Sequence, residues 1–359
     1  MTTYLKKLNK KIAPKNFFFA PEWVVLGVNN VCNLHCKMCD VGNQNLESNF
    51  AQNLVGTHPL NMPEDLIFKI IDQTAKYYPS AKLAYAFTEP LVYPHLASSL
   101  LYAREKNLWT TVTTNALTLK SKAPHLLAAK LDELFVSLDG PQDIHNEIRG
   151  HKKSFQKAIE GIEVLKADEN CPKITVICAI TEWNIGELVN LIESLKHLGV
   201  DEFAFMHTQF NSLKSAQVHN ASKWGVHYPS SESNLDIIDF SKMDLDLLLK
   251  EIHQIKNADY PFTTYFSPEI TEMDELKRYY LEPERVIGSH CGAVFNRVMI
   301  KSDGSAIPAH GRCYNMTIGD IYKEDLNDIW KSAKLKQLRG DLHKAGGLFQ
   351  GCSRCCSAF

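Results

Sequence analysis

"VCNLHCKMCDVG", residues 31–42, decides how this chain is read. It sets Cys32, Cys36 and Cys39 in the spacing C-x3-C-x2-C, directly after "EWVVLGVNN". That preceding run is continuously apolar and ends in polar residues, the pattern of a buried strand in a parallel sheet. The cysteines therefore fall in the loop at the C-terminal end of this strand. Three thiolates so close can wrap one compact centre. Structural zinc takes four ligands, and His35, adjacent to Cys36, is poorly placed to converge as the fourth. A [4Fe–4S] cluster normally takes four cysteines. Three leave one iron open to bind a substrate or cofactor.

Beyond the loop, strand-like and helical segments alternate. The strand candidates are "KLAYAFTEP", "WTTVTTNA", "ELFVSLDG", "KITVICAIT" and "DEFAFMHT". Between them lie stretches with apolar residues at helical spacing: "MPEDLIFKIIDQTAKYY", "HLASSLLYAREKN", "APHLLAAKL", "KSFQKAIEGIEVLKA" and "NIGELVNLIESLKHLG". With the first strand this makes six strands alternating with helices through residue 210, which calls for a parallel sheet with right-handed crossovers. An open doubly wound sheet and a barrel both satisfy the pattern. No G-x-G-x-x-G follows the first strand, which weakens a dinucleotide-binding fold. Polar or reactive residues follow most strands instead: the Cys loop, Glu89, Asn115, Asp139, Asn184 and His207. Function at the C-terminal rim is the habit of a barrel or partial barrel. The expected fold class is thus α/β, a partial (β/α)6 TIM-like barrel, followed by a small C-terminal α+β unit.

The divisions read from the pattern are an N-terminal extension at 1–22, the partial barrel at 23–210, a connecting or lid region at 211–285, and the C-terminal unit at 286–359. The third contains the amphipathic "MDLDLLLKEIHQIKN"; in the fourth, "NRVMIKSDGSAIPA" reads as a hairpin about an Asp-Gly turn and "DLNDIWKSAKLKQLRGDL" as one helix.

The 359 residues are 45% hydrophobic and 22% charged, with a formal net charge of −2. That balance gives no general attraction to nucleic acid or to an anionic membrane. The basic start lacks an apolar h-region and a small-residue cleavage site. The apolar runs fall well short of the roughly 18 residues of a membrane span. A cytoplasmic protein is expected. In a reducing compartment, ten cysteines imply metal or catalysis rather than disulfides. Cys178, inside a strand, and Cys171, before Pro172, are expected to be ordinary buried or turn residues.

The Cys loop after a first strand resembles the radical S-adenosylmethionine (radical SAM) superfamily. The resemblance implies that S-adenosylmethionine chelates the open iron of a [4Fe–4S] cluster held by Cys32, Cys36 and Cys39. Reductive cleavage of its sulfonium bond would then give a 5′-deoxyadenosyl radical, which takes a hydrogen atom from substrate. The chemistry belongs to the cofactor, while the protein orients it. By the same resemblance Ser137, Arg149, Asn115 and Asn184 stand where the family supplies polar contacts to S-adenosylmethionine; Arg suits a carboxylate through its planar fork. Two positions depart from the family. Where it often has Gly-Gly-Glu-Pro after the second strand, this chain has "AFTEP", so Thr88 and Glu89 are the expected contacts. Met38 stands where an aromatic residue often packs near the adenine.

Cys291, Cys313, Cys352 and Cys355, spaced C-x21-C-x38-C-x2-C, resemble with their hairpin the SPASM/twitch extension of the same superfamily. The tail supplies five cysteines, fewer than the longer SPASM form uses, so the twitch form with one auxiliary [4Fe–4S] cluster is expected. Cys355 is taken as the ligand and Cys356 as spare. A zinc ribbon is the other use of four cysteines.

About 22 residues precede the first strand, too few for a separate peptide-recognition domain. The expectation is therefore a small polar substrate, sugar- or nucleoside-derived, with a flavodoxin- or ferredoxin-type reductant implied by the family. His207, Gln209 and His219 are candidate pocket residues. The alternatives are a peptide-modifying enzyme of the kind that matures ribosomal peptides and, in another class, a zinc-stabilised binding protein without catalysis.

Overall fold

The computed structural model describes residues 2–56, 58–233, 238–308, 312 and 314–359. Cys313 lies outside the described residues. All six expected strands form: β1 (Trp23–Gly27), β2 (Lys82–Tyr85), β3 (Trp109–Thr114), β4 (Glu133–Ser137), β5 (Lys173–Ile180) and β6 (Glu202–His207). Four more join them: β7 (Thr263–Ser267), β8 (Arg297–Lys301), β9 (Ser305–Ile307) and β10 (Gly319–Asp320). The sheet order is β10-β9-β8-β1-β2-β3-β4-β5-β6-β7, parallel from β8 through to β7. β9 and β10 extend one edge in antiparallel fashion.

The alternation along β1 shows how the sheet curves round two cores. Val24 and Leu26 point outward into the layer between sheet and helices, packed with Ile67, Ile70 and Ile71 of helix Glu64–Tyr77. Val25 points inward with Ala84, Met299 and Ile307, closed by Phe50 and Leu54. Burying each of the Val, Leu, Ile, Met and Phe side chains contributes about 1.5–3 kcal/mol. Period-2 strands with both faces covered are what a barrel wall requires.

Three features differ from the sequence reading. The region 211–285 contains a sheet strand, β7, paired with β6 from Glu202–Thr263 to Met206–Ser267; its "TTYFS" has the β-branched and aromatic content of a strand between Pro261 and Pro268. The Asp-Gly hairpin forms as expected, but β8 also lies parallel to β1, so the C-terminal segment prolongs the barrel wall. "DLNDIWKSAKLKQLRGDL" is two helices, Leu326–Trp330 and Ala333–Lys344. Ser332 breaks it: its Oγ accepts from Leu335 N–H at 3.3 Å and so caps the second helix. Among the described residues no helix is long and apolar enough to cross a membrane.

Candidate functional site

The loop after β1 closes tightly on itself. Cys39 N–H donates to Cys36 O at 3.1 Å, and Lys37 N–H donates to Ile148 O at 2.9 Å. Gly42 permits the closure, because a Cβ there would lie 2.7 Å from Cys36 N. Beneath, the buried Asp40 accepts from Ser233 Oγ at 2.6 Å and pairs with Arg312 at 3.5 Å. The three thiols stand on the wall of a cavity of about 540 Å³ at the C-terminal rim of the strands. Met38, Thr88, Asn115, Ser137 and Arg149 stand on the same wall, as do His207 and Gln209.

Two side chains reach the sulfurs. Arg149, in the last turn of helix Gln142–Arg149, donates from Nε to Asp139 Oδ2 at 2.5 Å and lies with Nη1 3.7 Å from Cys36 Sγ. Asp139 is fully buried, and its other oxygen accepts Ala179 N–H at 3.0 Å. Asn115 Nδ2 is 2.8 Å from Asn33 Oδ1 and 3.8 Å from Cys32 Sγ. Burial pushes the Cys36 thiol up to about 11, with Arg149 working the other way, and raises Cys32 as well. Thiolates in such a place call for added positive charge, which iron would supply. Among the described residues no three His, Cys, Asp or Glu side chains are gathered as ligands of one metal ion. A cubic cluster accepts thiolates set wider apart than the shell of a single zinc ion. The donor set, with N–H groups on two of its sulfurs, fits a [4Fe–4S] cluster.

The segment after β2 keeps the backbone shape of the glycines it lacks. Phe87 has φ 65° and Thr88 φ 39°, left-handed values that glycine adopts at no cost. Thr88 Oγ1 is tied to Asn29 O at 3.0 Å, and Asn29 Nδ2 donates to Glu89 O at 2.9 Å. These bonds hold the strained pair in place.

Two expected contacts are not on the cavity wall. Glu89 is buried below it and accepts Leu91 N–H at 2.9 Å, Thr114 Oγ1–H at 2.7 Å and Asn115 N–H at 2.8 Å. Its carboxylate is used in fastening β2 to β3; burial raises its pKa and the three donors oppose that. Asn184 is also buried, donating to Asp139 O at 2.7 Å and Ala179 O at 2.8 Å while accepting Thr181 N–H at 2.8 Å. It clamps the ends of β4 and β5. His219 is a core residue bonded to Tyr228 O at 2.7 Å and packed on Phe349. Cys178 is buried in the core and Cys171 half-buried in its turn, as expected.

The second cysteine group is assembled where two distant segments run together. Cys291 N–H donates to Gly347 O at 3.0 Å, and Gly292 N–H donates to Ser357 O at 2.7 Å. Cys291 and Cys352 are buried there, with Cys355 half-buried. The adjacent thiols separate: Cys356 is on the wall of the large cavity and Cys355 is not. A hydrogen bond from Cys355 lowers the Cys356 pKa, assisted by Arg297. Cys356, Arg297 and Arg312 are cavity residues that sequence reasoning missed. The one available signal was Arg297, a charge at the head of the apolar strand "VMI".

Comparison with known proteins places these features. The model of the radical SAM superfamily matches residues 27–195, and that of the SPASM iron–sulfur cluster-binding domain matches 291–356. The Fe-coproporphyrin III synthase of Methanosarcina barkeri is 22% identical over 240 residues, 66% of this chain and 53% of that protein. The sporulation killing factor maturation protein SkfB of Bacillus subtilis is 22% identical over 338 residues, 89% of this chain and 67% of that protein. The chain thus spans about half the length of the first relative. Streptococcus suis SuiB, solved bound to the precursor peptide SuiA, superposes with a TM-score of 0.62 at 18% identity, covering 94% of this chain and 70% of SuiB.

Proposed function

We propose, for a chain that belongs to the radical SAM superfamily and carries a SPASM iron–sulfur domain, that it is an enzyme modifying a residue within a peptide. When bound, the cluster and S-adenosylmethionine supply a one-electron cleavage that yields a carbon radical able to take a hydrogen atom from substrate. Cys32, Cys36 and Cys39 would hold the first cluster. Arg149 and Asn115 would direct N–H groups at its sulfurs, and Thr88, Ser137 and Met38 would line the S-adenosylmethionine site. Cys291, Cys352 and Cys355, with Cys313, would hold the auxiliary cluster. The inner apolar wall would keep water from the reacting carbon. A flavodoxin- or ferredoxin-type carrier in a reducing cytoplasm would deliver the electron.

The observation that carries the catalytic reading is that Cys32, Cys36 and Cys39 line one cavity, with Arg149 and Asn115 beside two of them. The peptide reading is supported by SkfB, similar over 89% of this chain, and by SuiB, whose structure holds a precursor peptide. It displaces the small polar substrate expected from the sequence. A second reading, a tetrapyrrole substrate, is favoured by the Fe-coproporphyrin III synthase similarity over 66% of the chain.

Anaerobic reconstitution with iron and sulfide tests the proposal. Dithionite and S-adenosylmethionine should then give 5′-deoxyadenosine, and co-expression with short peptides encoded beside the gene should change the mass of one of them. An unchanged set of peptides, together with turnover of iron coproporphyrin, would replace the peptide by the tetrapyrrole. No 5′-deoxyadenosine from cluster-loaded protein would end both readings.

A further inference from the structure

A second chamber lies deeper in the barrel. It has a volume of about 210 Å³ and shares Ala86, Phe87, Thr113 and Arg297 with the large cavity. Its remaining wall is mostly apolar, including Trp23, Val25, Phe135 and Met299. Arg297 opens β8 opposite Trp23 of β1, so its side chain starts from the barrel floor and stands where the chambers meet.

Carboxylates answer only two of the three guanidinium charges on these walls. Three arginines line the large cavity, and no Asp or Glu lines either chamber among the described residues. Arg149 is paired with Asp139 and Arg312 with Asp40. Arg297 donates from Nε to the neutral Asn296 Oδ1 at 3.2 Å, and no described carboxylate pairs with it. The Cys356 thiol, whose pKa Arg297 helps to lower, stands on the large-cavity side, so the inner chamber itself offers the guanidinium no anion and leaves that place to a ligand.

We propose that Arg297 anchors a carboxylate of the substrate, with the short stem that carries it seated in the inner chamber. An aspartate or glutamate side chain of the peptide has this form. The planar fork matches a carboxylate with two N–H donors. A phosphate dianion fits the same fork but brings a second negative charge that the apolar chamber leaves unmatched. The proposal rests on the reading of the large cavity as the meeting place of S-adenosylmethionine and substrate. It makes Arg297 a specificity-determining residue, and it predicts that peptides lacking an acidic side chain near the modified position are poor substrates.

The test uses the full, cluster-loaded chain and two probes, N-acetylglutamate α-amide and its neutral isostere N-acetylglutamine amide. Binding is followed by saturation-transfer NMR and calorimetry. The acidic probe should bind about tenfold more tightly than the neutral one, the scale of one charge-assisted contact. Arg297→Gln should remove the preference and Arg297→Lys should keep part of it, with melting temperature confirming that each variant folds. S-adenosylmethionine affinity, measured in both variants, should change less than affinity for the acidic probe. Equal binding of the probes to the native chain, or a preference surviving in R297Q, would overturn the proposal. So would loss of S-adenosylmethionine binding in R297Q, which would assign the anion to the cofactor, or an altered cluster EPR spectrum, which would assign Arg297 to the iron. Failure of the native chain to form 5′-deoxyadenosine strikes the functional reading instead, since probe preference is read by binding alone.

Discussion

Arg149 bridges Asp139 and Cys36, with Nε 2.5 Å from the carboxylate and Nη1 3.7 Å from the sulfur. The sequence reading gave Arg149 a carboxylate of S-adenosylmethionine. The structure gives its Nε a carboxylate of the protein and turns another edge of the same fork toward a thiolate.

Hydrogen bonds to cluster sulfurs tune iron–sulfur potentials. Arg149→Met should therefore make the first cluster harder to reduce, shifting its midpoint to a more negative value in an EPR-monitored titration. An unchanged midpoint would remove Arg149 from the environment of the cluster. Asp139→Asn leaves the guanidinium in place without its buried partner. It should destabilise the fold by about 3–5 kcal/mol in denaturant titration.

The two cysteine groups should load independently. Cys32→Ser, Cys36→Ser and Cys39→Ser together should abolish 5′-deoxyadenosine formation while the protein still binds iron and sulfide through the C-terminal group. Cys352→Ser with Cys355→Ser should lower iron content yet spare cleavage of S-adenosylmethionine in the absence of substrate. Iron and sulfide analysis with chromatography of the nucleoside decides both. If the first variant held no iron at all, the C-terminal group would not be a cluster site.

Gly42→Ala adds a methyl that meets the Cys36 backbone at 2.7 Å. Backbone cannot move aside as a flexible side chain can, so the Cys loop must open, at about 1–3 kcal/mol. Iron uptake by the first group should fall while the melting temperature of the barrel changes little. Normal loading kinetics would show that the loop tolerates the methyl.

His207 gives the chain a defined response to acid. Its Nδ1 is bonded to Tyr280 Oη at 2.7 Å, its Nε2 has no protein partner, and burial pushes its pKa down to about 3. Between pH 3 and the ordinary value of 6.5 the unfolded chain takes up a proton that the folded chain refuses, so stability falls as pH falls through this window. From pH 7 to pH 5 the native chain should lose about 2 kcal/mol more than His207→Phe, measured by urea unfolding. Equal losses would show that His207 titrates alike in the folded and unfolded chain.

The expected strands were legible because period-2 and period-3.6 patterns are local, and β1 to β6 all lie where those patterns put them. β7 carried the same local signal in "TTYFS", yet went unread between irregular flanks. The helix break at Ser332 was a capping signal inside an otherwise regular apolar repeat. The site was legible in proportion to its nearness in sequence. Cys32, Cys36 and Cys39 share one loop, so their spacing alone brings them together.

What the amino-acid order settled by itself is the alternation of strand and helix, the thiol loop after the first strand, and the hairpin that follows the first member of the second cysteine group. All of these depend on residues a few positions apart, whose geometry the backbone fixes. Only the folded chain decided which polar side chains face the cavity. Glu89 and Asn184 look alike in sequence to Thr88 and Asn115, but buried backbone donors and acceptors claim them first, since an unpaired polar group in the interior costs more than a cofactor contact returns. The fold also brought β8 beside β1 and so set Arg297 and Cys356 on a wall whose first cysteine lies at the other end of the sequence. That pairing joins residues far apart in the chain, and no local pattern encodes it.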